Sequence, residues 1–197
     1  MPRVAFLVRE LILRTAKEEF LSHGFEGTSV RAICKRAGLT TGAFYNHFSQ
    51  KEEVFEALVA PMIEEFHGLY NSVMGRELED LDTGIENEMI SITYDIAHRD
   101  EFQLLFECSR GTKYENFKDE LIEQVFYPGY QAVFDRYADK PVEPTLVKLI
   151  LKMKFEEYME LIYGDYTIEE VRRLITQVSI FSVAGFHGLL KELNTKS

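Results

Sequence analysis

Two short helices separated by a tight turn are encoded by residues 28–47, TSVRAICKRAGLTTGAFYNH, and this segment constrains the fold more than any other. The first helix is predicted at about residues 28–36, and the second at about 40–47. Gly38, in the turn between them, suits a position of positive φ that a Cβ would penalise. Two short helices joined by a turn containing Gly predict a helix-turn-helix, whose second helix can enter the major groove of DNA.

The residues before this segment predict a longer helix. Ile12, Ala16 and Phe20 recur at four-residue spacing, which is typical of the apolar face of an amphipathic helix over residues 4–23. Gly24 follows, and Gly is favoured just beyond a helix C-terminus. The first helix is therefore expected to end there.

The residues after it predict the start of a fourth helix. Ser49 is followed three positions later by Glu52, which is the pattern of a capping box. This helix is expected over about residues 50–73, where it would connect the first helices to the rest of the chain. Pro61 lies inside it and is expected to bend it, because proline removes one backbone hydrogen bond.

Taken together, these motifs resemble the DNA-binding domain of the TetR family of bacterial transcriptional regulators over about fifty residues. Cys34 stands where the family usually has Ala, a small change because a thiol packs as a hydrophobe. The resemblance implies an all-α homodimer with a helix-turn-helix domain at residues 1–50 and a larger effector-binding and dimerisation domain at 51–197. The matching motifs are Gly-Phe at 24–25, the Thr/Ser-rich start of the second helix, Ala-Gly at 37–38, Gly-x-x-Tyr-x-His-Phe at 42–48 and Lys-Glu at 51–52.

The resemblance and the position of the third helix indicate which residues would contact DNA. Thr40 is the expected N-cap, and the long fork of Arg31 suits guanine or phosphate. Lys51 stands in the first turn of a helix, where an anion is already attracted. Ordinary surface solvation is the alternative for Arg31 and Lys51, and His47 could face phosphate or pack internally. The predicted DNA-binding residues are Arg31, Thr40, Thr41, Gly42, Tyr45, Asn46, His47 and Lys51.

Charge is distributed unevenly along the chain, which has a formal net charge of −11. Residues 1–50 hold seven Lys and Arg against four Asp and Glu, a net charge of +3, and residues 51–197 carry −14. The basic end would face phosphate while the acidic body is repelled by it. The alternative explanation for the charge of −14 on residues 51–197 is that an acidic surface keeps a cytoplasmic protein in solution.

The remaining sequence predicts helices only, about nine in all. Five prolines and no period-two alternation argue against strands. Capping-box patterns at Thr83–Glu86 and Thr167–Glu170 are expected to start two of the helices, and Pro128-Gly129 is expected to kink or split a helix over residues 114–139.

Small residues form one stripe of the last helix, and an apolar face is expected on the helix before it. Such a stripe permits close approach of another helix, which can be an internal neighbour. The family resemblance implies instead that the last two helices form a four-helix interface with a second copy. The residues predicted for this interface are Leu146, Ile150, Val178, Ser182, Gly185 and Leu189.

The C-terminal part is rich in aromatic residues, which line small-molecule pockets but also fill ordinary cores. An unidentified effector, mostly apolar and with a cationic group suggested by the acidic body, is expected there. The candidate pocket residues are Tyr94, His98, Phe102, Cys108, Tyr127 and Tyr158.

Enzymatic and metal-binding functions find no pattern in the sequence. The sequence has no HExxH, no G-x-S-x-G, no glycine-rich phosphate loop and no CxxC spacing. We therefore expect no catalytic residues, no metal ligands and no cofactor. No apolar run approaches 18 residues, which predicts that no segment spans a membrane. Cys34 and Cys108 show no spacing typical of a disulfide or metal site and no signal peptide is recognised, which predicts a cytoplasmic protein. The expected function is a ligand-responsive repressor on a palindromic operator in double-stranded DNA. The alternative is a helical ligand-binding or scaffold protein whose first three helices contact protein.

Overall fold

A computed structural model describes residues 2–194, whereas Met1 and residues 195–197, the extreme ends of the two predicted domains, lie outside that range. These residues form helices and no β-strand, which confirms the all-α class. With the continuous segment α7–α8 counted as one, the described part of the chain has nine helices, as expected. The helices are α1 (Pro2–Gly27), α2 (Val30–Ala37), α3 (Thr41–Tyr45), α4 (Lys51–Glu79), α5 (Gly84–Ala97), α6 (Arg99–Glu107), α7 (Phe117–Leu121), α8 (Tyr127–Tyr137), α9 (Pro144–Tyr163) and α10 (Ile168–Leu193).

The described residues form two compact units. The N-terminal unit contains the chain up to Phe66 together with Asp100–Lys118, and the C-terminal unit contains His67–Arg99 and the chain from Asp119 onward. Helix α4 therefore begins in one unit and ends in the other. The predicted division at residue 50 stays a prediction, and the inclusion of residues 100–118 in the N-terminal unit is a feature that local sequence patterns do not reveal.

An apolar core organises the N-terminal unit. Ile12, Ala16 and Phe20 of α1 are fully buried, as their spacing predicts. The rings of Phe20, Phe25 and Phe55 contact one another at centroid distances of 5.3–5.6 Å. Three aromatic rings in this arrangement bury a large apolar area and fix the end of α1 against the start of α4.

The bend that ends the regular part of α1 occurs at Gly24. Its φ of +70° is non-helical and lies in the region that favours glycine, so the chain turns there before Phe25. The N–H of Phe25 then donates to the carbonyl oxygen of Cys108 at 2.9 Å. This bond ties the segment after α6 to the end of α1, within the N-terminal unit.

The turn between α2 and α3 has the expected geometry. Gly38 adopts φ +66° and ψ +28°, and the N–H of Leu39 donates to the carbonyl of Cys34 at 2.9 Å. Thr40 is the N-cap of α3, because its hydroxyl accepts the N–H of Ala43 at 3.1 Å. Hydrogen bonds within the segment, one in the backbone of the turn and one at the N-cap of α3, therefore hold the helix-turn-helix in a closed conformation.

The capping arrangement of α4 differs from the predicted one. Both the N–H and the hydroxyl of Ser49 donate to the carboxylate of Glu53, at 2.7 and 2.6 Å, so the partner is not Glu52. These bonds lower the pKa of Glu53 below its ordinary value. Helix α4 continues through Pro61 to Glu79, beyond its predicted end at residue 73.

The second predicted capping box, at the start of α5, is absent. The hydroxyl of Thr83 donates to the carbonyl of Asp80 at 2.7 Å instead of capping α5. Asp80 in turn caps a short 3-10 turn at Leu81–Thr83 by accepting the N–H of Asp82. The third one, at Thr167 and Glu170, is confirmed by reciprocal bonds at the start of α10.

A π-helical turn, Ile122–Phe126, precedes the predicted break at Pro128 and joins α7 to α8. Pro128 has no N–H to donate to the preceding turn, and a wider turn accommodates the missing bond. The hydroxyl of Tyr70 donates to the carbonyl of Val125 at 3.2 Å and so satisfies an acceptor in this irregular turn.

Helix α10 is the one helix within residues 2–194 that is long and apolar enough to cross a membrane, by length and composition alone. A single helix of this kind is weak support for a membrane span, because the core helix of a soluble protein passes the same test.

Candidate nucleic-acid interface

One face of the helix-turn-helix is exposed along α3. Phe44 is fully buried and anchors α3 to the core, which leaves the other side of this short helix in solvent. The side chain of Tyr45 is 57% exposed, and its ring meets the ring of Phe44 edge-on at 5.4 Å. The exposed residues of this face are the predicted Thr40, Thr41, Gly42, Tyr45 and Asn46.

Positively charged side chains of α2 differ in what they do. Arg31 is exposed, as predicted for a DNA contact, and so is Lys35, which the sequence reasoning did not select. Arg36 instead pairs with Glu18 at 2.9 Å and Glu19 at 3.0 Å, both on α1. Arg31 and Lys35 therefore offer charge to an anion, whereas Arg36 stabilises the α1–α2 packing.

Lys51 is engaged inside the N-terminal unit. Its Nζ donates to the carbonyl oxygens of Phe25 at 2.6 Å and Thr28 at 2.8 Å, and lies 3.9 Å from the centre of the Phe25 ring. Burial lowers the pKa of this ammonium. Lys51 thus holds the α1–α2 connection, a role that its sequence position does not reveal, and its predicted phosphate contact stays a prediction.

His47, the remaining residue of the predicted set, is half-buried beside the core of the N-terminal unit. Its backbone N–H donates to the carbonyl of Phe44 at 2.9 Å, which closes the last turn of α3. The choice between a phosphate contact and a packing role stays open for this residue.

The six candidate pocket residues do not form one group. Phe102 and Cys108 lie in the N-terminal unit, where Phe102 contacts Phe66 and Phe106. The other four lie in the C-terminal unit, where the rings of Tyr94 and His98 contact each other at a tilt of 35°, with centres 4.3 Å apart. Burial, together with the nearby charge of Glu107, raises the pKa of the Cys108 thiol.

A buried acidic cluster in the C-terminal unit escaped the sequence reasoning altogether. It is assembled from residues of helices α4, α5 and α9. No hydrophobic periodicity or sequence motif predicts this cluster, because the three helices that contribute to it are far apart in the chain. The acidic cluster consists of Glu77, Asn87, Glu88, Lys154 and Glu157.

The predicted interface residues occupy two kinds of position. Leu146, Ile150 and Leu189 pack against an internal cluster of the C-terminal unit. Val178 is half-buried, and the hydroxyl of Ser182 accepts a hydrogen bond from Lys154 at 3.2 Å. Gly185 is exposed, and a Cβ added there would meet nothing within 4 Å.

Larger apolar side chains are exposed on the same two helices. Phe181 is 74% and Met153 67% exposed, and Leu149 and Ile180 are also exposed. With Gly185 and Gly188 they form what is called here the α9/α10 apolar patch. Ile180 and Phe181 were missed because a stripe chosen by small residues does not include them.

Metal binding finds no support in the geometry. Among residues 2–194, no group of three or more His, Cys, Asp or Glu side chains is arranged to hold a metal ion.

The N-terminal residues match a known family model. Residues 12–58 match the model of bacterial regulatory proteins of the tetR family, and this range runs from the middle of α1 to the first turns of α4. The match therefore coincides with the helix-turn-helix and the helices that support it.

Two curated relatives extend the comparison. The chain is 33% identical over 105 residues to an uncharacterised HTH-type transcriptional regulator, YdgC of Bacillus subtilis, covering 53% of this chain and 51% of the relative. It is 44% identical over 50 residues to the HTH-type transcriptional repressor AcnR of Corynebacterium diphtheriae, covering 25% of this chain and 26% of the relative. The chain thus spans about half the length of the first relative and a quarter of the second.

The whole fold is shared more widely than the sequence. A TetR family transcriptional regulator from Chloroflexus aurantiacus superimposes with a TM-score of 0.63 at 16% identity, covering 90% of this chain and 92% of that structure. At this identity the likeness shows the fold, including the helical C-terminal part, and nothing about the ligand.

Proposed function

We propose, on the premise that the chain belongs to the TetR family of bacterial regulatory proteins, that it is a sequence-specific DNA-binding transcriptional regulator. The observation that carries the proposal is the closed helix-turn-helix, whose third helix exposes Thr41, Gly42, Tyr45 and Asn46 on one face. The relatives reported above are named as transcriptional regulators or a repressor, and neither name points to the protein-binding alternative.

The exposed face of α3 suits base contacts in the major groove. Gly42 allows the backbone close to the duplex, and the amide of Asn46 can pair with an adenine edge through two hydrogen bonds. Tyr45 can reach a phosphate or a base. Arg31 and Lys35 would add phosphate contacts, which fix the docking without carrying sequence information.

The proposed active form is a homodimer on a palindromic operator. The α9/α10 apolar patch exposes four large apolar side chains, and exposed patches of this kind mark interaction sites. A second copy related by a two-fold axis would cover it with the same patch. The two copies of α3 would then reach half-sites about 34–36 Å apart, one helical turn of DNA.

The C-terminal unit is proposed to take a small-molecule effector that lowers the affinity for DNA, which makes the protein a cytoplasmic, ligand-responsive repressor. A ligand can shift DNA affinity only by its different affinity for the two states, typically 1–3 kcal/mol. By reciprocity, operator DNA must weaken effector binding by the same factor.

The test is a selection of duplexes from a random library by the full-length protein. The expected result is enrichment of a palindrome with half-site centres about 10 base pairs apart, bound by two protomers. A protein that enriches no sequence, and whose weak duplex binding is unaffected by salt, would contradict the proposal, because phosphate neutralisation must weaken as salt rises.

A further inference from the structure

The middle of α10 approaches α5 closely in the C-terminal unit. A Cβ added at Gly84 of α5 would lie 3.1 Å from Cγ2 of Val183 on α10. One turn further along α5, the carboxylate of Glu88 contacts the hydroxyl of Ser179, which lies one turn back along α10. Because a step of four residues forward on α5 matches a step of four residues back on α10, the two helices run antiparallel with these positions paired.

The same register continues into the apolar core. Ile92 and Ile175, the next positions at four-residue spacing, belong to one cluster of buried side chains. Beside them, the hydroxyl of Thr176 lies 3.8 Å from the sulfur of Met89. The polar contact therefore stands between a glycine step and an apolar step of a single helix pair.

A lysine of α9 joins this polar contact. The ammonium of Lys154 contacts the carboxylate of Glu88 through the oxygen that does not contact Ser179. It also donates to the hydroxyl of Ser182 at 3.2 Å and lies 3.6 Å from the carboxylate of Glu157. The side chains of Glu88 and Lys154 are less than one-fifth exposed, so α5, α9 and α10 meet at an ion pair that is largely removed from water.

The polar contact distinguishes this register from the neighbouring ones. If α10 moved by one turn along α5, Glu88 would face Ile175 or Val183 in place of Ser179. Apolar packing is non-directional, whereas a buried charged group that loses its partners is costly. The ion pair and its hydroxyl partner therefore specify one register among those that the apolar side chains alone would tolerate, as a single buried polar residue does in coiled coils.

The register decides which side of α10 faces outward. Ser179 is fully buried, whereas Ile180 and Phe181, the next two residues, are 54% and 74% exposed. On α9, Met153 is exposed and its neighbour Lys154 is turned inward. Residues that hold the polar contact and residues of the α9/α10 apolar patch therefore follow one another on the same two helices.

We propose that Glu88 and Lys154 are positioning residues for dimerisation, because they hold α10 in the register that presents Ile180 and Phe181 to a second copy. The inference rests on the proposed homodimer through the α9/α10 apolar patch and names the residues that prepare this surface. Without the polar contact, several registers of α10 become accessible, and only protomers in the original one can pair. Since both protomers must be competent, a competent fraction of about one third raises the dissociation constant of the dimer about tenfold.

The test replaces the ion pair by apolar side chains, Glu88→Leu together with Lys154→Met, in the full-length protein. Such a replacement of a buried ion pair is often neutral for stability. Sedimentation equilibrium measures the dissociation constant of the dimer, which is expected to rise about tenfold or more. Urea unfolding of the same double change in a Phe181→Glu background, which is expected to be monomeric, measures the stability of the protomer, which is expected to stay unchanged.

Further variants separate positioning from general packing. Glu86→Leu with Lys148→Met is the matched control on α5 and α9, because these side chains are 72% and 54% exposed, and it is expected to dimerise as the parent does. Ser179→Ala keeps the ion pair but removes its contact with α10, so it is expected to weaken the dimer. Glu88→Gln retains an acceptor for Lys154 and a donor for Ser179, and is expected to preserve dimerisation.

The inference is overturned if the Glu88→Leu, Lys154→Met double variant and Ser179→Ala both dimerise as tightly as the parent. A loss of protomer stability that accounts for the weaker dimer also overturns it, and Ser179→Ala alone decides if the double variant does not fold. A Phe181→Glu variant that remains a dimer overturns it too, because the interface then lies elsewhere.

These outcomes are distinguishable from failure of the proposed function. A protein that selects its palindrome but whose dimer is unaffected by the double change overturns the positioning role alone. A protein that selects no DNA sequence, yet whose dimer weakens as expected, overturns the proposed function and leaves the positioning role standing.

Discussion

At the scale of single residues, the ammonium of Lys51 has two possible kinds of partner, the backbone carbonyls of its own unit and a phosphate of DNA. Its hydrogen bonds to the carbonyls of Phe25 and Thr28 use two of its three donors and join the start of α4 to the α1–α2 connection. The sequence shows that a lysine stands in the first turn of α4. It does not show these carbonyls, which lie 26 and 23 residues away in the chain.

Changing Lys51 to Ala is therefore expected to lower the free energy of unfolding by about 1–2 kcal/mol, the usual scale for hydrogen bonds to a charged group that is partly exposed. If Lys51 also contacts phosphate, the affinity for all duplexes falls by a similar factor and the salt slope drops by about one unit. Urea unfolding and a salt titration measure the two effects. Lys35→Ala, an exposed lysine on α2, is the control for stability, and unchanged stability in Lys51→Ala would remove the structural role.

Asp95 makes stability depend on pH. Its carboxyl is protonated in both folded and unfolded states below about pH 4, so its burial cost is then absent. As pH rises, the unfolded chain ionises first, because the folded pKa is raised to about 8, and stability is lost progressively between these two values.

Asp95→Asn is expected to remove this loss, so that the variant gains stability relative to the parent at pH 8.5 but not at pH 4. The gain is on the order of a few kcal/mol, from about 1.4 kcal/mol per unit of pKa shift. Unfolding by urea at the two pH values measures it, with Glu86→Gln as control. A variant whose stability follows that of the parent at both pH values would show that Asp95 ionises normally in the folded protein.

At the scale of helices, the capping patterns show what local sequence can and cannot predict. Thr167–Glu170 forms the expected reciprocal bonds because Thr167 has the extended backbone of an N-cap, with φ −71° and ψ 157°. Thr83 matches the same pattern but donates to the carbonyl of Asp80, since the chain enters α5 through a 3-10 turn. The pattern predicts that a helix starts nearby, and the preceding backbone decides which side chain caps it.

Gly129 marks a close approach of α8 to α4. A Cβ at this position would lie 2.2 Å from the hydroxyl oxygen of Tyr70 and 2.8 Å from the sulfur of Met74. The Tyr70 hydroxyl is held by its bond to Val125, so it cannot move without loss of that bond. The need for glycine is therefore set by packing, and the sequence shows only a Pro-Gly pair.

Gly129→Ala is expected to lower the free energy of unfolding by about 1–3 kcal/mol, the usual cost of overpacking. Gly75→Ala on α4 is the matched control, because a Cβ there meets nothing within 4 Å. That change is expected to raise stability by about 0.5–1 kcal/mol through higher helix propensity. Equal effects of the two substitutions on the urea midpoint would contradict the proposed close contact.

At the scale of the whole molecule, the sequence predicts the helical class, the N-terminal motif and the order of the helices well, because these depend on local spacing. It does not predict that residues 100–118 belong with the N-terminal unit, where Lys17 pairs with Asp100 and Glu101 at 2.9 Å. The sequence also does not predict that Ile180 and Phe181 are exposed, because their exposure depends on how α10 is rotated against α5 and α9.

Phe181→Glu is expected to convert a dimer into a monomer, because it places a charge at the most exposed apolar side chain of the α9/α10 apolar patch, twice in a two-fold interface. Sedimentation velocity measures the change, and Thr93→Glu on α5 is an exposed control. Gly185→Leu tests the small-residue stripe separately. A parent-like dimer in both Phe181→Glu and Gly185→Leu would place the interface elsewhere.

The most direct test of DNA reading by α3 is fluorescence anisotropy of the selected palindrome and of a scrambled duplex between 50 and 200 mM salt, with the parent and a Tyr45→Ala, Asn46→Ala double variant. Affinity of the parent for the palindrome is expected to fall log-linearly with salt, by about 10³–10⁵ if six to ten phosphates are contacted. The double variant should lose the preference for the palindrome and keep the salt-dependent affinity for the scrambled duplex. A double variant that still prefers the palindrome as strongly as the parent would contradict base reading by α3.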